Sequence, residues 1–260
     1  MSHDHIMHHY RKEEQPFVER VIEWVERAEK THTSIRTDFV DPRQKQIIQN
    51  IVNSSMDLTM FFDGGYTEAE RGRVLIAPYY FSYDPKEMGL TFFKVIGENK
   101  FTTLTHRDYM GALLNIGIKR EKFGDILVSD TDKQYIVASE VADYIRMQLT
   151  HVGRVPVRLE EIARENVKPP IQQIEEMFLT VSSLRVDAIS SDVFRLSRTK
   201  ISEWIKGKHL KVNWQIIDQT DYKLQVGDIV SLNGFGRFKF LEDEGITKKG
   251  RIRVKIGRWS

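Results

Sequence analysis

The sequence predicts an α+β protein of several domains, and three observations support this. At 260 residues the chain exceeds one typical domain. Its apolar spacing changes from helical periodicity in the first seventy residues to strand-like runs interleaved with helices. Its charge is uneven: residues 182–260 hold 16 Lys+Arg against 9 Asp+Glu, whereas residues 1–181 hold 23 against 28, so +7 and −5 make up the overall +2. The expected organisation is a mainly helical unit over 1–72, a central α/β sandwich over 73–163, a linker over 164–181 and a basic unit over 182–260. Such asymmetry is the footprint of a polyanion-binding segment joined to a more neutral body.

Composition narrows the class. Forty per cent hydrophobic and 10% aromatic residues suffice for packed cores. No apolar run approaches the roughly 18 residues of a membrane span, and no signal-peptide pattern opens the chain. Cysteine is absent, which excludes disulfides, thiolate metal sites and cysteine nucleophiles. A soluble cytoplasmic protein is expected. His3, His5, His8 and His9 lie near the start and read as an unanchored terminus rather than a metal site.

From Pro16, the residues Phe17, Val21, Trp24, Val25 and Ala28 recur at helical spacing, with proline in the first turn. Asp41-Pro42 opens a second helix with a stripe of Ile47, Ile48, Ile51 and Val52. Leu58 to Phe62 is short and apolar, and Asp63-Gly64-Gly65 ends it as a turn, with Asp63 a turn former rather than a catalytic acid. The central unit is expected to begin near Arg73, with strands over Val74–Phe81 and Leu90–Ile96 separated by Asp84-Pro85. Thr105 caps a helix through Leu113 and Leu114. Strands follow at Asp125–Val128 and Gln134–Val137, then a helix around Val141, Ile145 and Leu149 and a strand at Val155–Leu159. This order resembles the RNA-recognition-motif class. Tyr79, Tyr80, Phe81, Phe92 and Phe93 are candidate base-stacking residues, although alternation in a strand turns about half of them inward. Lys168-Pro169-Pro170 breaks the pattern, and Ile171, Ile174, Met177 and Phe178 suggest a polar helical stretch.

In the basic unit, Leu184, Ala188, Ile189 and Val193 share one helical face. Ser197 stands as N-cap of a second helix that buries Ile201, Trp204 and Ile205, with Arg198, Ser202 and Lys206 along one flank. Gly207 is placed to end it in a left-handed cap. Lys208, His209 and Lys211 lead into an extended run over Leu210–Ile217, Val226-Gly227-Asp228 makes a turn, and Ile229–Leu232 forms a strand. These short motifs, namely Leu184 to Asp187, Ser197 to Lys200, Ile205 to Lys208, Lys211-Val212-Asn213 and Val226 to Asp228, resemble the S4-type RNA-binding domain in order and spacing. Val186 stands where leucine is commoner, a volume-tolerant change. His9 to Glu14, Gly234 to Phe238 and Lys248 to Arg253 extend the similarity over essentially the whole chain, to the YlmH family of bacterial S4-domain proteins. That resemblance implies a helical unit, a central RNA-recognition-like domain and a terminal S4 domain. It also implies genes lying near cell-division genes and binding to rRNA of the large ribosomal subunit carrying peptidyl-tRNA, in the rescue of stalled translation.

The residues expected to meet RNA are Arg185, Arg198, Thr199, Lys200, Lys206, Lys208 and Lys211 at phosphates, with Asn213 reaching a 2′-hydroxyl or base edge. Asp187 belongs with them as an orienting partner for an arginine or a helix terminus. The cations are expected to converge on one surface. Gly234 to Phe238 has only Gly-x-Gly and opens no helix, so a nucleotide loop is excluded and a tight turn exposing Arg237 and Lys239 is expected. Lys248 to Arg258 is either a half-buried strand with a basic face or a tail that orders on RNA. For catalysis, a pseudouridine synthase needs an aspartate in its own catalytic domain, and the Arg-x-Asp of Arg185 to Asp187 lies inside the binding module. His106 and Asp108 read as capping and surface residues. Nothing suggests a cofactor, a metal or an enzyme. The alternatives are an RNA-modifying enzyme with an unrecognised catalytic domain, or a cell-division interaction protein that holds a partner through the acidic N-terminal region.

Overall fold

The computed structural model describes residues 7–97, 104–129, 131–170 and 174–259; His3 and His5 lie outside them. The chain divides into two compact units, Met1–Pro170 and Ile171–Ser260. No helix among the described residues is long and apolar enough to cross a membrane.

The first unit begins with α1 (Gln15–Thr31), whose apolar stripe buries Val18, Val21, Ile22, Val25 and Ala28. β1 (Ile35–Val40) follows, then α2 (Pro42–Val52). Asp41 caps α2 through a reciprocal pair: its carboxylate accepts from Gln44 N at 2.8 Å, and the Gln44 side chain accepts from Asp41 N at 3.0 Å. β2 (Leu58–Asp63) and β3 (Gly72–Pro78) complete an antiparallel sheet in the order β1-β3-β2. This adds a three-stranded sheet to the two helices expected of the first unit. It also moves the strand near Arg73 out of the central unit, because β3 is the middle strand of the first sheet. Every residue of β3 is buried, as a strand covered on both faces must be. Val74 and Ile76 pack with α1 and α2 on one side.

The central part runs β4 (Leu90–Ile96), α3 (His106–Asn115), β5 (Phe123–Val128), β6 (Lys133–Ala138) and α4 (Ser139–Gln148). A small hairpin, β7 (His151–Val152) with β8 (Val155–Pro156), precedes β9 (Arg158–Ile162). The strand expected at Val155–Leu159 is therefore split between a hairpin arm and β9. The sheet order β5-β6-β4-β9 gives a βαββαβ sandwich. Phe93, Tyr135 and Val137 face α3 and α4 in one core. On the opposite face Phe92, Ile136 and Leu127 pack against Phe39 and Tyr66 of the first module. Two glycines permit this approach. A Cβ on Gly65 would come within 2.5 Å of Phe92, and one on Gly124 within 2.6 Å of Phe39. Phe92 and Phe93 are thus buried at 7% and 1% exposure, and neither can stack a base. Of the five expected stacking aromatics, Tyr79 and Tyr80 are the large exposed ones.

Polar contacts also join the two modules. The Arg73 guanidinium, 3% exposed, meets Glu140 at 2.9 Å and also donates to Thr37 O and Gly89 O. Asp125 accepts from Tyr66 Oη at 2.9 Å and from the amide of Glu70 at 2.8 Å. Arg164, in a 3-10 turn after β9, grips Asp63 through two bonds of 2.5 and 2.7 Å. Gln134 holds Asn166 O and Lys168 N. The segment expected to be free linker is therefore anchored to this unit up to Lys168.

The second unit has a six-stranded antiparallel sheet in the order β10-β15-β14-β13-β11-β12. Its strands are β10 (Ile174–Val181), β11 (Leu210–Val212), β12 (Gln215–Ile216), β13 (Ile229–Leu232), β14 (Gly236–Ile246) and β15 (Ile252–Trp259). Helices α5 (Val186–Phe194) and α6 (Arg198–Lys206) cover one face. Their Ile189, Val193, Ile201 and Ile205 share a core with Leu210, Val230, Phe238, Phe240, Val254 and Ile256. The polar helical stretch expected before this unit is in fact strand β10. Its residues pair in unbroken register with β15, from Ile174 opposite Trp259 to Val181 opposite Ile252. Of the two readings of Lys248 to Arg258, the strand is the observed one from Ile252 onward.

Candidate nucleic-acid interface

The α5–α6 pair and the turns around it carry most of the residues expected at RNA. Arg185 stands at the N-cap of α5, and Asp187 lies in its first turn, where a carboxylate complements the helix dipole. The two form a bidentate ion pair, Nε to Oδ1 and Nη2 to Oδ2, both 3.0 Å. Donating to the Asp187 carboxylate raises the already high pKa of the Arg185 guanidinium further. Asp187 is nine-tenths buried, which makes it an orienting anion rather than a contact for a polyanion. Arg185 also forms a backbone bridge with Lys223, bringing an exposed cation beside the start of α5. Sequence reasoning missed Lys223, which lies outside every motif; its signal is a pairing partner 38 residues away.

Ser197 caps α6, accepting from Lys200 N at 3.2 Å. Arg198 donates to Ser182 Oγ at 3.2 Å and is exposed, as are Thr199, Lys200 and Lys206. Neither Lys200 nor Lys206 forms an ion pair with a described residue. The helix ends differently from expectation. Gly207 has φ −73°, and Lys208 takes the left-handed conformation at φ 62°. A Cβ at 207 would meet the His209 ring at 2.9 Å, so a larger residue there would have to shift that ring, which lies edge-on against Trp204.

Asn213 and Trp214, at φ 48° and 64°, form a two-residue hairpin loop closed by the Val212–Gln215 pair. The Asn213 carboxamide donates to Asp228 Oδ1 at 2.8 Å and accepts from Ile229 N at 2.9 Å. Asp228 in turn accepts from Gln225 N. The Lys-Val-Asn and Val-Gly-Asp motifs are therefore two halves of one structural knot. The Asn213 carboxamide thus holds the loop, while as an exposed side chain it keeps a second N–H and a second lone pair.

The expected cations do not share one surface. Leu210 and Val212 point into the core beneath α5 and α6, so Lys211 between them projects from the other face of the sheet. The same alternation puts Arg237 and Lys239 on that helix-free face, flanking the buried Phe238. Arg237 is half-buried, its guanidinium lying 4.5 Å from the Trp259 ring centroid. Arg198, Thr199, Lys200 and Lys206 belong to the helical side, with Lys208 in the turn that leaves it.

Asp63 is held by Arg164, by Gly65 N at 2.8 Å and by Tyr83 Oη at 3.2 Å. Burial beside that carboxylate pushes the Tyr83 phenol up to about 12. Asp108 accepts from the Thr105 amide and hydroxyl at 2.7 Å in a capping box. Among the described residues, no cluster of three His, Asp or Glu side chains is placed to hold a metal ion.

Comparison with known proteins agrees with this layout. The YlmH N-terminal model matches residues 13–81, a putative RNA-binding domain in YlmH matches 84–166, and the S4 domain matches 193–230. The chain is 38% identical over 253 residues to the ribosome-associated protein quality control protein P2 of Bacillus subtilis (strain 168), covering 97% of this chain and 98% of that one. It is also similar to the solved structure of cell division protein ylmH from Streptococcus pneumoniae. That match has a TM-score of 0.53 and 28% identity, and covers 61% of this chain and 97% of that one. With both of its units covered by these matches, the chain belongs to the YlmH family.

Proposed function

We propose that this protein is a non-catalytic RNA-binding factor of the cytoplasm, which docks through the helical side of its second unit on structured rRNA. The rRNA is that of the large ribosomal subunit carrying peptidyl-tRNA, and the setting is the rescue of stalled translation. The observation that carries the reading is the α6 surface: Arg198, Thr199, Lys200 and Lys206 are exposed on one short helix, inside the unit that holds the S4 match. Phosphate contacts from such a helix position the protein, while the shape of the RNA supplies register. The B. subtilis relative's name, a ribosome-associated quality control protein, supports the ribosomal setting. The capture of Asp187 by Arg185 supports a binding rather than a catalytic role for the one Arg-x-Asp considered as an active site.

Sedimentation tests this directly. The wild-type protein is expected to travel with large subunits bearing peptidyl-tRNA, and the double charge reversal Arg198→Glu/Lys206→Glu to stay at the top of the gradient while keeping its fold by circular dichroism. Co-sedimentation that survives the double reversal would remove the α6 surface from the reading.

A further inference from the structure

The helix-free face of the second unit's sheet is open, and its composition is not that of an ordinary solvated face. Phe178 on β10 is 52% exposed and Ile174 is 40% exposed. Strand alternation and register bring them onto the same face as Arg253 and Lys255 of β15, and Arg237 and Lys239 of β14. The Arg253 guanidinium lies 5.0 Å from the Phe178 centroid, and Lys255 Nζ lies 5.9 Å from it. On the neighbouring part of the face, Arg237 stacks on Trp259. β10, β14 and β15 all lie outside the stretch matched as S4, residues 193–230.

We propose that this face is a second RNA contact, one that takes single-stranded RNA by stacking a base on Phe178 while its phosphates run toward Lys239 and Lys211. The proposal rests on the RNA-binding reading above and adds a substrate class and a separate surface to it. Charge sets the direction. Arg253 is paired with Glu244 at 2.6 Å and Lys255 with Glu176 at 2.8 Å, and Glu242 stands opposite Lys255 in the register, so the positive charge around Phe178 is fully compensated. Lys239 and Lys211 form no ion pair with a described residue, so the uncompensated charge lies at the β11 side. From β10 to β11 there are four strand spacings of about 4.8 Å, roughly 19 Å of open surface along which an extended strand can lie. An exposed aromatic ring and uncompensated lysines further along one face are the elements that bind single strands without sequence preference, because every base has a π-face.

Fluorescence anisotropy with the full chain tests this, using a labelled single-stranded oligoribonucleotide of about ten nucleotides and, separately, a labelled RNA hairpin. Phe178→Ala is expected to weaken single-strand binding by on the order of tenfold, at an unchanged salt slope, because stacking is not an ionic interaction. Lys211→Glu/Lys239→Glu is expected to flatten the salt slope for the same oligonucleotide. Neither variant should change hairpin binding, which Arg198→Glu/Lys206→Glu should abolish. Circular dichroism confirms that each variant is folded. Single-strand affinity untouched by Phe178→Ala, with hairpin binding intact, overturns this inference and leaves the first reading standing. A wild-type chain that binds neither RNA removes both. A photo-crosslinker placed at position 178 that captures a protein instead of RNA on ribosomal particles also overturns it.

Discussion

Replacing Glu140 with glutamine tests whether the first module is fastened over the central sheet in the way the structure describes. Glu140 opens α4 and receives both Arg73 guanidinium nitrogens, at 2.9 and 3.0 Å. Burial alone would raise its pKa, but the hydrogen bonds and charge of Arg73, with Lys122 nearby, hold the carboxyl at about 2. An unfolded glutamate titrates near 4.5. The interval between these values corresponds to about 3 kcal/mol at roughly 1.4 kcal/mol per pH unit. Because the Glu140 side chain is 37% exposed, solvent screening reduces this to about 1–2 kcal/mol. Arg73 itself stays buried and keeps Thr37 O and Gly89 O, with Asp38 at 3.9 Å as a distant second anion, so the variant loses the pair without abandoning the guanidinium.

The sign of the pH dependence follows. A folded pKa below the unfolded one gives stabilisation that is complete above about 4.5 and is lost as the pH falls toward about 2. Amide hydrogen exchange in β3 and β4 reads the stability of this unit apart from the other. At neutral pH Glu140→Gln is expected to lower it by about 1–2 kcal/mol, and the gap between the two proteins should close in acid. A change within about 0.3 kcal/mol at neutral pH, or a gap that widens in acid, would refute the fastening argument.

Three other substitutions or conditions probe the remaining claims. Asn213→Ala removes two hydrogen bonds and places alanine at φ 48°, so urea unfolding of the second unit should show a loss of about 2 kcal/mol with RNA affinity unchanged; lost affinity without lost stability would make Asn213 a contact. Gly65→Ala would drive a methyl into Phe92 from a backbone at φ 97°, and should lower the melting temperature by the equivalent of about 2 kcal/mol or more; a neutral effect would contradict the close approach of the modules. With Arg198, Lys200, Lys206 and Lys208 at phosphates, affinity for a structured RNA should fall about 10²-fold between roughly 50 and 200 mM salt, and a binding constant flat across that range would rule out phosphate contacts.

Elements with their own punctuation were legible in the sequence. α1 and α2 announce themselves by proline in the first turn and an apolar stripe, and α6 by Ser197 followed by Ile201 and Ile205. Elements defined by distant partners were not. β1 has polar Arg36, Thr37 and Asp38 in its middle, and Phe39 is apolar for the sake of the central sheet, a reason no local window contains. β10 reads as helical because Ile174, Met177 and Phe178 fall at three-to-four spacing, yet Met177 faces the core and Phe178 the other side of a strand whose partner β15 begins at Ile252. At the interface, residue types were readable but geometry was not. The cations of the S4-like motifs stood out as charge, whereas their division between two faces depends on the sheet, and the structural duty of Asn213 depends on Asp228, 15 residues away.

The central sandwich shows why topology and binding surface must be argued separately. A βαββαβ sandwich reads RNA, in the RNA-recognition-motif class, on the sheet face left open by its helices. Here that face is closed by Phe39, by the Gly65–Tyr66 turn and by two polar fastenings, Arg73 with Glu140 and Tyr66 with Asp125. Opening it would expose Phe92 and Ile136 and strand the buried Arg73, which is more than a single base stack of about 1–3 kcal/mol returns. The central sheet face therefore offers no platform for a base. The exposed pair Tyr79 and Tyr80, edge-to-face at 5.3 Å just beyond β3, keeps its rings in solvent on the same unit. The sheet face that the helices leave free is thus closed in the central sandwich and exposed on the second unit, where Phe178 and Trp259 lie beside arginine and lysine.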